Sequence, residues 1–276
     1  MVTRSKKFHE HPDQSYQKTQ RTQKQTKPQE SESAIDLEKS QVEKYQPQQI
    51  SNSLKIKLDH LKTFEPLTEN QKIFFEAYKR GDYFMMLSGS AGVGKSFIAL
   101  YKSLEEVLDK TNPFKKIIIV RSAVQGRDLG FTPGSVEEKM SLYEQPYHQI
   151  CETLFGRKDA YTRLTEQDYI EFVSTSFLRG CTFDDAIVIV DECQSMTFHE
   201  LSSIVTRVGY RSKIIFCGDT KQNDLIKNKH DTSGLMDFLK VATTMKEFTR
   251  IHFTPEDIMR SSLVKSWIIA CEKLDI

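Results

Sequence analysis

The rhythm of apolar and polar positions changes near residue 63. Residues 1–62 are rich in Gln, Lys, Ser, Glu and Thr and poor in aliphatics. Such a stretch cannot bury enough apolar surface to offset its ordering entropy. It is expected to be a disordered tail, with at most a short helix near Ser33–Tyr45. From about Phe64 onward, apolar runs of strand length alternate with amphipathic stretches of helix length. Strands are predicted at Tyr83–Leu87, Ile117–Val120, Ala186–Val190, Lys213–Cys217 and Phe248–Phe253, with a weaker one at Ile170–Val173. Helices are predicted at Thr68–Lys79, Lys95–Leu108, Met140–Leu154, Thr197–Val208, Ser233–Val241 and Pro255–Leu274. This alternation predicts an α/β fold, a parallel sheet with helices on both faces. Ile117–Val120 and Ile187–Val190 are unbroken aliphatics, as strands buried on both sides must be. Residues 63–276 make one domain of ordinary α/β size.

Composition sharpens this division. Apolar residues are 38% of the 276, enough for a core, while the mean hydropathy of −0.49 reflects a polar segment beside it. A net charge of +1 gives no overall nucleic-acid footprint, so any such contact must be local. The first 28 residues carry Arg4, Lys6, Lys7, Lys18, Arg21, Lys24 and Lys27 against Glu10 and Asp13. That arm could touch phosphates or serve only as a solvated linker. Cys151, Cys181, Cys193, Cys217 and Cys271 are dispersed without a C-x-x-C pair, which fits reduced cytosolic thiols. The first residues given show no apolar h-region, and no apolar run approaches the ~20 residues of a bilayer span. A soluble, cytoplasmic protein without a membrane partner is expected.

Gly89-Ser90-Ala91-Gly92-Val93-Gly94-Lys95-Ser96 satisfies G-x-x-x-x-G-K-[ST] between a predicted strand and a predicted helix. The glycines let successive backbone N–H groups face a phosphate chain, and the helix N-terminus adds positive potential. Lys95 is expected to reach the β and γ phosphates of ATP, and Ser96 to ligate Mg²⁺. Ala186–Val190 ends in Asp191 and Glu192, an aliphatic strand delivering two acids. Asp191 is the expected Mg²⁺ partner and Glu192 the group that polarises an attacking water. A third strand ends in Gly218-Asp219-Thr220-Lys221-Gln222, which resembles motif III of superfamily-one helicases. There the Gln senses the γ-phosphate, and Gln222 is assigned that catalytic role.

Together these elements resemble the PhoH family of P-loop ATPases, related to the superfamily-one helicase core. Further stretches carry the likeness across residues 64–276: Leu67-Thr68-Glu69-Asn70-Gln71, Leu129–Gly134, Gln145-Pro146-Tyr147, Leu178–Phe183, Asp191–Ser195, Ser233-Gly234-Leu235 and Asp257–Val264. The resemblance implies a RecA-like fold and a Gln71 that reads adenine. It also implies ATPase activity coupled to single-stranded RNA or DNA, and a homo-oligomer, as a hexameric ring. One RecA-like domain leaves γ-phosphate charge to be met by a neighbouring subunit. Arg260 in the terminal motif is the first candidate, followed by Arg179, Arg207 and Arg211. Cys181 and Ser261 depart from the family pattern, which has Arg and His there. Tyr210-Arg211-Ser212-Lys213 is a basic loop that could meet nucleic acid. Asn228-Lys229-His230-Asp231 matches a guanine-reading motif but follows no buried strand. Glu192 and Gln222 favour a hydrolase over a small-molecule kinase. The remaining alternative is a nucleotide switch or protein remodeller that does not hydrolyse ATP or does not use nucleic acid.

Overall fold

The computed structural model describes residues 55–122, 136–178, 180–219 and 234–274, without the side chains of 136–139. The tail up to residue 54, Leu129–Gly134, Arg179, Gln222, Asn228–Asp231 and Ser233 lie outside the described residues.

Six strands are described: β1 (Phe84–Gly89), β2 (Lys116–Arg121), β3 (Ile170–Ser174), β4 (Ala186–Val190), β5 (Lys213–Gly218) and β6 (Phe248–Phe253). They form one parallel sheet in the order β3-β2-β4-β5-β1-β6. The described helices are α1 (Glu69–Arg80), α2 (Lys95–Leu108), α3 (Val136–Phe155), α4 (Ala160–Glu166), α5 (Phe198–Val205), α6 (Leu235–Ala242) and α7 (Ser262–Leu274).

Side chains alternate across each strand, so neighbours along the chain serve two different cores. Met85, Leu87, Ile117, Ile119, Ile187 and Ile189 pack with Phe74 of α1, Leu100 and Leu104 of α2 and Tyr147 of α3. Phe84, Met86, Ile118, Val120, Val188 and Phe216 pack with Leu201 and Ile204 of α5 and Phe238 and Leu239 of α6. Both faces are therefore dry, which is why these strands read as unbroken aliphatics. At about 1.5–3 kcal/mol for each fully buried large side chain, this double burial dominates the stability of the fold. Register pairs Leu87 with Cys217 and Val190 with Phe216, bringing the ends of β1, β5 and β4 to one edge. Open parallel sheets bind ligands along that edge.

Three expectations are corrected. Packing reaches back before residue 63: Ile56 is 2% exposed in the first core, and its N–H donates to Gln167 Oε1 at 3.2 Å. Of its described neighbours, Leu58 stays 39% exposed, so Ile56 is the anchor there. Helix α4 was not predicted, because its seven residues are too few to display a period; Ala160, Tyr161 and Leu164 bury its inner side. The single helix expected over Pro255–Leu274 is broken. Pro255–Asp257 forms a 3₁₀ turn, Ile258 is extended at φ −68° and ψ 117°, and α7 starts only at Ser262. Ile258 enters the core at 4% exposure, and the Met259 N–H donates to the Gly92 carbonyl at 3.2 Å. A long-range backbone bond and a buried side chain outweigh the helical pattern here.

Candidate nucleotide site

The loop between β1 and α2 is wound by its glycines. Gly89, Gly92 and Gly94 have φ of 143°, 80° and 84°, a region that L side chains avoid. Close approach adds a second reason at two of them. A Cβ on Gly89 would lie 2.2 Å from the Phe253 carbonyl oxygen, and one on Gly92 would lie 2.9 Å from Arg260 Cγ. Gly94 is the N-cap of α2, so the free N–H groups of that helix open onto the loop. Lys95 bends back over it, donating from Nζ to the carbonyls of Gly89 at 2.7 Å and Ser90 at 2.8 Å.

Ser96 and Asp191 meet across the edge of the sheet, with Ser96 Oγ donating to Asp191 Oδ1 at 2.7 Å. The other carboxylate oxygen, Oδ2, accepts from Tyr147 Oη at 2.8 Å. Tyr147 comes from the middle of α3, one residue after Pro146, and is 1% exposed. Burial first, then the charge of Asp191, holds its phenol well above the ordinary range, so it stays a donor.

Glu192 follows in the left-handed region at φ 52° and ψ 41°. A non-glycine residue held there stores local strain, a feature concentrated at functional sites. Its Oε2 accepts from Gln194 Nε2 at 2.6 Å, while Gln194 Oε1 accepts from the Asp219 N–H at 3.1 Å. The amide of Gln194, 2% exposed, thus joins the turn after β4 to the turn after β5. Gly218 leaves it room: a Cβ there would lie 2.4 Å from Cys193 Sγ and 3.0 Å from Gln194 Oε1.

These groups border a cleft of about 960 Å³. Gly92, Gly94, Lys95, Ser96, Asp191 and Glu192 line its polar part, and Phe64, Phe75, Phe97 and Tyr101 its aromatic part. Gln71 lies between them, its Oε1 accepting from the Leu67 N–H at 2.9 Å and its Nε2 donating to the Val93 carbonyl at 3.3 Å. Each amide atom retains capacity for one further bond. The segment after β6 forms one wall, through Met259, Arg260 and Ser261.

The PhoH family model, described as PhoH-like protein, matches residues 63–272. The chain belongs to the PhoH family. It is 35% identical over 213 residues to the PhoH-like protein of Bacillus subtilis (strain 168), covering 77% of this chain and 65% of that one. To the PhoH-like protein of Mycobacterium leprae (strain TN) it is 30% identical over 219 residues, 79% of this chain and 61% of the other. The protein PhoH of Escherichia coli (strain K12) is 33% identical over 178 residues, covering 64% and 49%. The chain thus spans less than two thirds of the length of these curated relatives. Among solved structures, a chain titled "Crystal structure of Pif1 helicase from Candida albicans" has a TM-score of 0.33 and 15% identity, covering 69% of this chain and 40% of that one. Nothing about activity transfers at that level.

In this PhoH-family, P-loop nucleotide-binding fold, the residues singled out in the sequence separate into two groups. Gln71, Gly89 to Ser96, Asp191, Glu192 and Arg260 converge at or beside the cleft. Ser90 turns away from it, its hydroxyl donating to Glu272 of α7. Arg260 lies over the loop of its own chain, so its expected supply by a neighbour is not required by the geometry. Arg211 is ion-paired with Asp185 and lies beside the Tyr210 ring, at the opposite end of β5. Lys213 is buried, donating to Glu106 Oε2 at 2.8 Å, and burial lowers its pKa. The expected basic loop is therefore two internal ion pairs. Arg207 does not line the cleft. Cys181 is exposed away from it, and Ser261 lines it. All five cysteines are unpaired. No helix among the described residues is long and apolar enough to cross a membrane.

Tyr147 and Gln194 were not assigned roles from sequence. Both occur in stretches that carry the family likeness, but their partners are 44 and 25 residues away in the chain. Only folding brings those pairs together.

Proposed function

We propose that the chain from the Ile56 anchor onward forms an ATPase domain that binds Mg·ATP and hydrolyses it, coupled to single-stranded RNA or DNA. The observation that carries this reading is the Ser96–Asp191–Tyr147 constellation beside the glycine-wound loop.

The residues present fit Mg·ATP. The loop offers backbone N–H groups at a helix N-terminus, a ready anion cradle. Ser96 and Asp191 supply hard oxygen ligands at hydrogen-bond distance from each other, the donor chemistry that suits Mg²⁺. The cleft volume of about 960 Å³ suffices for a nucleotide, with aromatic surface for the base and Gln71 to read its edge. Bound Mg²⁺ would supply neutralisation of phosphate charge. Lys95 exchanges its two loop carbonyls for phosphate oxygens. Tyr147 keeps Asp191 oriented. Glu192 accepts the proton of the attacking water, and Gln194 holds its carboxylate until the turn after β5 moves. Arg260, from the same chain, meets the charge that develops on the γ-phosphate.

Coupling to nucleic acid rests on the likeness of Gly218-Asp219-x-x-Gln222 to motif III, with Gln222 as the sensor. The bond between Asp219 and Gln194 gives motion at that turn a path to Glu192. A homo-oligomer, as a hexamer, and a cytoplasmic location remain family-level parts of the proposal. The test is ATP turnover with and without single-stranded RNA and DNA, with mass measured by light scattering. Stimulation by one polymer supports the reading and names the substrate. Unstimulated turnover favours a protein remodeller, and absence of turnover favours a nucleotide switch.

A further inference from the structure

The end of β6 and the segment after it touch the phosphate loop at three positions. Phe253 abuts Gly89, Met259 and Arg260 lie on Gly92, and Ser90 Oγ donates to Glu272 Oε1 of α7. Ser90 is the shared residue: its carbonyl accepts from Lys95 at 2.8 Å while its hydroxyl holds α7. On the nucleotide reading above, Lys95 exchanges that carbonyl for a phosphate oxygen, which frees the Ser90 peptide to turn. Helix α7 has no fully buried residue. It rests on the body through partly buried Ile268, packed on the first core, and Val264 at the cleft. The Ser90–Glu272 contact thus joins it to the loop beside a shallow seat. Its outer side carries Leu263, Trp267 and Leu274, 76%, 70% and 69% exposed. Their spacing of four and seven residues puts them on one stripe.

We propose that α7 is the output lever of the nucleotide site, with the Ser90–Glu272 contact transmitting the state of the phosphate loop to the Trp267 stripe. The lever rests on the nucleotide-binding reading above and adds a regulated element to it. Release of Ser90 from Lys95 loosens or reorients α7. By linkage, anything that captures the stripe in one position must in turn change nucleotide affinity.

The chain has a single tryptophan, so its intrinsic fluorescence reports on α7 directly. Full-length protein is titrated with Mg·ATP, with emission and calorimetric binding measured in parallel. The wild type is expected to show an emission change that saturates with the calorimetric Kd. Glu272→Ala, which removes the acceptor, is expected to bind ATP within about tenfold of wild type and to lose at least about half of that change. Ser90→Ala, which removes the other half of the contact, is expected to lose it equally. Heat of binding with unchanged wild-type emission overturns the lever and leaves the nucleotide site standing. A full emission change in both variants also overturns it. Absence of binding heat in the wild type overturns the nucleotide reading and the lever with it.

Discussion

The Tyr147 hydroxyl donates to Asp191 Oδ2 at 2.8 Å, on the side of the carboxylate that Ser96 leaves open. Three elements, α2, α3 and β4, thereby fix one acid. Tyr147→Phe removes the bond and little volume. A hydrogen bond to a charged group contributes about 1.5–3 kcal/mol. The variant is expected to need roughly tenfold more Mg²⁺ for half-maximal ATP turnover, read from a metal titration at saturating ATP.

Lys95→Ala removes the amine that now holds the loop closed on itself. ATP affinity or turnover is expected to fall at least about a hundredfold, since a lost phosphate contact costs several kcal/mol of charge stabilisation. Calorimetry and phosphate release check it. The fold should survive, because Lys95 contributes nothing to either hydrophobic core.

Arg260 over Gly92 of its own chain makes a prediction about mixtures. Arg260→Ala and Lys95→Ala each lose turnover alone. Mixed together, they should stay inactive if the arginine works within one chain. Recovery of turnover in the mixture would show that it works across an interface.

Glu192 has φ of 52°, where a non-glycine residue costs about 1 kcal/mol. Glu192→Gly relieves that cost while deleting the carboxylate. The variant is expected to unfold at no lower urea concentration than wild type, yet to lose turnover about a hundredfold or more. A destabilised variant would mean that the Gln194 contact outweighs the strain.

Burial pushes the Cys151 thiol from its ordinary 9.0 up to about 12. A folded pKa above the unfolded one means that this contribution is complete below pH 9 and is lost as pH rises toward 12. The slope for one such group is about 1 kcal/mol per pH unit. Urea unfolding at pH 9 and pH 10 should therefore show wild type losing about that much more stability than Cys151→Ala.

The parts of the fold and site that were legible are contiguous in the chain. Gly89 to Ser96 carries its own glycines, lysine and hydroxyl, and β4 delivers Asp191 by simple succession. Ile117–Val120 and Ile187–Val190 announced a sheet buried on both faces. Tyr147 could not be read this way, since a tyrosine one residue after a proline in a helix gives no hint of a carboxylate 44 positions on. Nor could the break at Ile258, where the apolar spacing is helical and only the bond from Met259 to Gly92 decides otherwise. That break carries Arg260 to its own loop. Arg211 and Lys213 looked like a basic loop because Asp185 and Glu106 are distant in sequence and adjacent in space.

Hydrolysis of ATP at this site turns on Glu192 as the proposed base. The most direct measurement is single-turnover phosphate release from wild type and Glu192→Gln, with bound ATP quantified in the same samples. Both proteins are expected to bind ATP, and only the wild type to release phosphate at an appreciable rate. Equal rates in the two proteins would contradict that role for Glu192.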